Sequence, residues 1–148
     1  MAVGSTAIPR PVEAVSIPQG AVVVLGRLLF ALVFLISGPG HFSPNTIGYA
    51  AAQGVPLASI AVPVSAIIEL LGGLSILLGY HAKIGAWLIV LFLIPVTLTM
   101  HSFWAVQDPM QAQMQMIMFM KNVSMLGAAL IISQLGAGPF SLDARSRR

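Results

Sequence analysis

Cysteine is absent from this chain and charge is scarce: 7% of the residues are Asp, Glu, Lys or Arg, against 57% hydrophobic. The first absence excludes structural disulfides, thiolate metal sites and any thiol–disulfide relay carried by the chain itself. Redox chemistry here would need a cofactor or a partner to carry the electrons. The second absence excludes an ordinary soluble domain, in which about a quarter of the residues are charged. With a mean hydropathy of +0.94, the solvent for most of the surface is lipid. Phosphate loops, nucleotide motifs and nucleophile–base arrangements are missing as well. The pI near 10.0 does not point to nucleic acid. Lys and Arg are dispersed, and Arg145, Arg147 and Arg148 close the chain, where they read as a topology signal.

What the sequence does contain is four long apolar runs. Residues 1–18, with Pro9, Pro11 and Pro18, form a flexible lead. The first run, Gln19 to Gly38, stops at Gly38-Pro39-Gly40. Arg27 interrupts it and no small-residue cleavage site follows, so it reads as a retained span rather than a signal peptide. His41 to Pro56 suits a short helix lying in the membrane interface. Further spans run over Leu57–Leu78, Ala82–His101 and Ala112–Leu135, each near the ~20 residues that cross the hydrocarbon. The expected fold is all-α: a four-transmembrane-helix bundle over residues 19–140, with a short interfacial helix between the first and second spans and a basic tail at 141–148. Arg10, Lys83, Arg145, Arg147 and Arg148 fall on one side if the spans alternate, while the opposite loops contain no Lys or Arg. Both termini are therefore expected in the cytoplasm, with the chain in a bacterial inner membrane.

Each run holds an isolated ionisable residue: Arg27, Glu69, His101 and Lys121. A charge in the bilayer costs roughly 2.5–3.5 kcal/mol on insertion scales unless it meets a partner or water, so these side chains are expected to face the bundle interior. At a rise of ~1.5 Å per residue, Arg27 and Glu69 come out at similar depth on antiparallel neighbours, which allows a buried pair. That pair serves either as a lock between helices or as a proton site. Small residues around Glu69 (Ser65, Ala66, Gly72, Gly73) let a neighbour approach closely. A second, outer polar group is expected from His101, Lys121 and Asn122, with Gln111, Gln115 and Thr97 nearby and His41 able to join. Two histidines without Asp, Glu or Cys nearby make a poor metal site, so none is assigned. The methionines that open the fourth run point all round a helix and suit packing or lipid contact better than copper.

The places where polar residues break the apolar runs resemble the DoxX family of small bacterial membrane proteins. The matching stretches are Gly26-Arg27-Leu28-Leu29-Phe30-Ala31, Ser37-Gly38-Pro39-Gly40-His41-Phe42, Gly54-Val55-Pro56-Leu57, Glu69-Leu70-Leu71-Gly72-Gly73, His101-Ser102-Phe103-Trp104 and Met118-Phe119-Met120-Lys121-Asn122. The resemblance implies a four-helix integral membrane protein and, more loosely, a link to respiratory or redox processes. Pro39 and His41 depart from the Leu and Lys more usual there, which weighs against a thiosulfate site.

Three functions compete at this level. The first is a redox-associated membrane subunit whose interior pocket, built from Arg27, His41, Glu69, His101, Lys121 and Asn122, receives a quinone-like head group, with a soluble or membrane redox partner supplying electrons. The second is a small proton or solute pathway with Glu69 as its titrating group. The third is a non-catalytic scaffold whose buried charges fix helix register.

Overall fold

The computed structural model describes residues 16–146; most of the N-terminal lead, and Arg147 and Arg148 of the basic tail, lie outside them. Its helices are α1 (Ile17–Ser37), α2 (Pro44–Ala52), α3 (Ala58–Leu78), α4 (Ala82–Met100), α5 (Pro109–Leu135) and the short α6 (Leu142–Arg145), with 3₁₀ turns at Gly38–Phe42 and Phe103–Ala105. Four of them, α1, α3, α4 and α5, are long and apolar enough to cross a membrane. The expected all-α architecture, with one short helix between the first two spans, is the one observed.

Local chemistry sets the helix ends. Ser16 and Gln19 form a capping box at the start of α1, Ser43 caps α2 and Asp108 caps α5, each followed by a proline in the first turn. α3 stops at Gly79, whose left-handed φ of 64° is cheap only without a Cβ. α4 has no cap of its own: His81 stands at its N-cap position but makes no side-chain cap bond. The carboxylate of Asp143 supplies the cap instead, accepting the backbone N–H groups of His81 at 2.8 Å and Ala82 at 3.1 Å. Anionic capping of this kind satisfies amides that would otherwise have no partner at the helix start.

The spans pack in the order α1–α3–α4–α5, around a core that includes Phe34, Ile76, Ile89 and Leu93. Glycines set the tightest contact. A Cβ on Gly72 would sit 2.9 Å from the Gly85 carbonyl oxygen, so α3 and α4 approach backbone to backbone near the Gly79–His81 turn. The α1–α3 register is fixed by Gly73 against Phe34 and Leu35, and by Gly38 against Leu70. By the same register Arg27 lies level with Gly79, and its guanidinium does reach that glycine.

This register overturns the expected Arg27–Glu69 pair. Arg27 is buried and donates to the carbonyls of Ala137 at 3.3 Å and Phe140 at 2.8 Å, at the turn end of the bundle. Glu69 lies roughly 15 Å further along α3, toward α2, and has other partners. α1 begins well beyond the α3–α4 turn, so depth counted from the two span ends misplaces one against the other. Side chains also lean toward the N-terminus of their own helix, and on antiparallel helices that carries Arg27 and Glu69 apart. Residues 136–146 fold back over the turn: Asp143 N–H donates to the Gly79 carbonyl at 2.8 Å, Ser141 is buried, and the Phe140 ring lies on Gly20.

Arg27→Ala should release this closing segment. It is expected to cost about 1–3 kcal/mol, read as a lower melting temperature in detergent, and to speed tryptic cleavage after Arg145. Gly72→Val should cost a further-ranging loss of about 1–3 kcal/mol through overpacking, whereas Gly26→Val, with nothing within 4 Å of its Cβ position, should leave melting nearly unchanged.

Candidate functional site

α1 ends at Ser37 because Pro39 cannot continue the helix, and the 3₁₀ turn that follows swings His41 back over α3. There it meets Glu69, the most deeply buried ionisable side chain described, at 1% exposure. His41 Nδ1 lies 3.1 Å from Glu69 Oε2, a contact that is an ion pair only with the imidazole protonated. Neither atom has a partner in hydrogen-bond geometry, however, so the contact is off-axis. The other carboxylate oxygen, Oε1, is held by the Ser37 hydroxyl, which also lies 2.8 Å from the Val33 carbonyl. A hydroxyl has one proton to give. When Ser37 spends it on Val33, the Ser37–Glu69 contact is a hydrogen bond only if the carboxyl group is the donor.

The His41 ring separates this carboxylate from a cavity. One ring contact is Phe92, with centroids 6.0 Å apart and planes inclined by 35°. The cavity, of about 590 Å³, is lined by His41 and Phe92 together with residues of α2, α3 and α4, including Thr46, Ser65, Pro95 and Thr99. A volume of several hundred cubic ångströms, mostly apolar with a few convergent polar groups, is what small-molecule sites have in common. Val64 and Leu91 form part of its lip and are 47% and 58% exposed on the outer surface of the bundle. The exposure of these two residues puts the opening of the cavity on the outer surface of the bundle between α3 and α4, with Thr46 and Ala50 of α2 on another wall. Pro95 has no N–H, so the carbonyl of Leu91 lacks its helical donor, and Thr99 Oγ1 bonds the Pro95 carbonyl at 2.8 Å.

The other expected members stand apart from this cavity. His101 Nδ1 pairs with Gln115 Oε1 at 2.8 Å, tying the end of α4 to α5. Lys121 is exposed on the outside of α5, its Nζ 3.5 Å from Met118 Sδ, while Asn122 is buried at 6% exposure. Neighbours in a helix point ~100° apart, so one of this pair faces in and the other out. The outer polar group of His101, Lys121, Asn122 and His41 is therefore not assembled, and Arg27 belongs to the turn-end clamp. Of the expected pocket residues, His41 lines the cavity and Glu69 backs it. Together they offer two donor groups, one short of a three-residue metal set. Ser37, Phe92, Ser65 and Thr99 were not singled out from sequence as a site. Pro63 and Pro95, level across α3 and α4, are the sequence signal that could have found the place.

If His41 and Glu69 are coupled, His41→Leu should destabilise by about 1–3 kcal/mol by isolating the carboxylate, and adding Glu69→Gln should recover part of that loss. Thermal melts of the two single variants and the double variant measure the coupling. Strictly additive effects would show that the two groups act separately.

The DoxX family profile matches residues 22–102, a span that holds His41, Glu69 and the whole cavity lining. Inner membrane protein YphA of Escherichia coli (strain K12) is 29% identical over 124 residues, which cover 82% of this chain and 88% of that protein. Inner membrane protein YqjF of the same organism is 29% identical over 123 residues, with the same coverage of each chain. No solved structure matches.

Proposed function

The chain belongs to the DoxX family, and from that premise we propose that it is an inner-membrane subunit of a redox system whose cavity receives a quinone-like head group. The observation that carries this reading is a partly exposed His41 that lines a mostly apolar cavity and touches the buried Glu69 carboxylate behind it. Reducing a quinone takes two electrons and two protons. The chain has no cysteine to relay electrons, so a soluble or membrane-bound redox partner supplies them. His41 is placed to pass one proton to a carbonyl oxygen in the cavity and, once reprotonated by Glu69 across the 3.1 Å contact, a second to the other oxygen. That leaves a neutral imidazole and a carboxylate, to be reprotonated from water at the exposed edge of His41. The apolar lining accommodates the ring and the first part of its tail, and the opening between α3 and α4 lets a lipid-soluble molecule enter without crossing water.

A proton or solute pathway is less well supported. Between Glu69 and the turn-end clamp at Arg27 lies a packed layer with Phe34, Ile76 and Ile89, all buried. A scaffold reading accounts for Arg27 but leaves the cavity beside His41 without a purpose.

The location in the inner membrane, with both termini cytoplasmic, is part of the proposal. It rests on the names of the relatives and on the Lys and Arg at the turn end. The absence of cysteine makes a direct check simple. Gln107→Cys should react with an impermeant thiol reagent in intact cells, and Ser146→Cys only after lysis; the reverse pattern inverts the topology.

For the ligand, isoprenoid quinone extracted from the purified protein should be present in the unaltered chain and lost in Leu91→Trp, which fills the cavity mouth. In membranes with the native partner, Glu69→Gln should retain the quinone but slow its reduction by about a hundredfold. Absence of quinone from the unaltered protein, or indifference of reduction to Glu69→Gln, would sink this function.

A further inference from the structure

A second cavity, of about 370 Å³, lies at the opposite end of the bundle, lined by Leu78, Phe140, Ser141, Leu142, Ala144 and Arg145. It shares no lining residue with the His41 cavity. Its volume is roughly twelve times the ~30 Å³ share of a water molecule, enough for a phosphoglycerol group. Its walls divide by chemistry. Leu78, Phe140 and Leu142 are large apolar side chains left exposed where the spans end. Arg145 is exposed too, and among the described residues it has no ion-pair partner.

The neighbouring acid does not neutralise it. Each carboxylate oxygen of Asp143 accepts one amide N–H, from His81 and Ala82, and makes no ion pair with Arg145. Among the described residues, further cations lie at the same end of the bundle, with Arg27 buried at Gly79. Lys83 is one, its aliphatic stem packed against Gly136. An apolar cavity with a guanidinium on its rim, at the level where membrane helices end, matches the two halves of an anionic phospholipid. A guanidinium also presents paired donors that fit two phosphate oxygens at once.

We propose that this turn-end cavity binds an anionic phospholipid, with the headgroup phosphate on Arg145 and an acyl chain along Leu78 and Leu142. A zwitterionic lipid carries the same phosphate, but its choline cation would meet the Arg145 guanidinium. The site is independent of the quinone reading, because neither His41 nor Glu69 contributes to it.

Native mass spectrometry of the full chain in detergent tests the assignment with palmitoyl-oleoyl phosphatidylglycerol and phosphatidylcholine as probes. Phosphatidylglycerol should be retained and phosphatidylcholine not. Arg145→Gln, a surface change that leaves the fold intact, should weaken the phosphatidylglycerol adduct about fivefold, and Arg145→Lys should restore most of it. Glu69→Gln should leave the adduct unchanged, which separates this site from the quinone proposal. Equal retention of the two lipids, or no response to Arg145→Gln, overturns the inference. So does complete displacement by inorganic phosphate, which would mark a site for a free anion; persistence of the adduct in phosphate supports a lipid.

Discussion

The close approach of α3 and α4 at Gly72 and Gly85 is the constraint on which the rest of the molecule depends. In a bilayer, lipid competes for apolar surface as well as another helix does, so helices associate where small residues bring their backbones together. Here that contact lies near the turn, with Ser75 also closing against Gly85. Away from it the two helices carry larger side chains and one proline each, Pro63 and Pro95. Two rods held together near one end leave space near the other, and the cavity occupies that space under α2. The position of the site thus follows from where the glycines are.

Much of this was legible in the sequence, for a definite reason. Apolar runs of span length and the Gly/Pro breaks between them are local signals, and they place all four long helices and the short one. The partners of the buried charges were not legible, because pairing depends on register and on side-chain direction together. Arg27 and Glu69 have similar depth only if both spans begin at the same membrane level. α1 instead starts beyond the α3–α4 turn, where Gly20 meets Phe140. Even at equal Cα depth, the lean of side chains toward their helix N-termini would part the two groups. Applied to Glu69, the same rule points toward the α2 end, where Ser37 and His41 are found.

Asp143 shows a different limit of sequence reading. A lone acid among C-terminal basic residues looks like part of a solvated tail. In the fold it performs the N-cap that α4 lacks, across more than sixty residues of chain. What the sequence did show was a gap: His81 is a poor cap, and no Ser, Thr, Asp or Asn stands at the start of α4. A missing local cap is a reason to look for a distant one. With Arg27 holding the carbonyls of Ala137 and Phe140, that acid makes the closing segment part of the turn-end structure.

The geometry of the His41–Glu69 pair bears on whether it is only a lock. A buried pair stabilises a bundle when aligned hydrogen bonds offset the cost of removing both charges from water. Here the nitrogen and the oxygen are close but misaligned, and each lacks a hydrogen-bonded partner. Ser37 adds a second indeterminacy, since its single proton has two acceptors within reach. Such an arrangement is a poor clasp, because neither protonation state satisfies every group. The imidazole lies between the Glu69 carboxyl group and the cavity, with Phe92 against it. The packed core of Phe34, Ile76 and Ile89 lies between this pair and the turn end of the bundle. That asymmetry is the reason the proposed role is placed at the cavity and not in a path through the bundle.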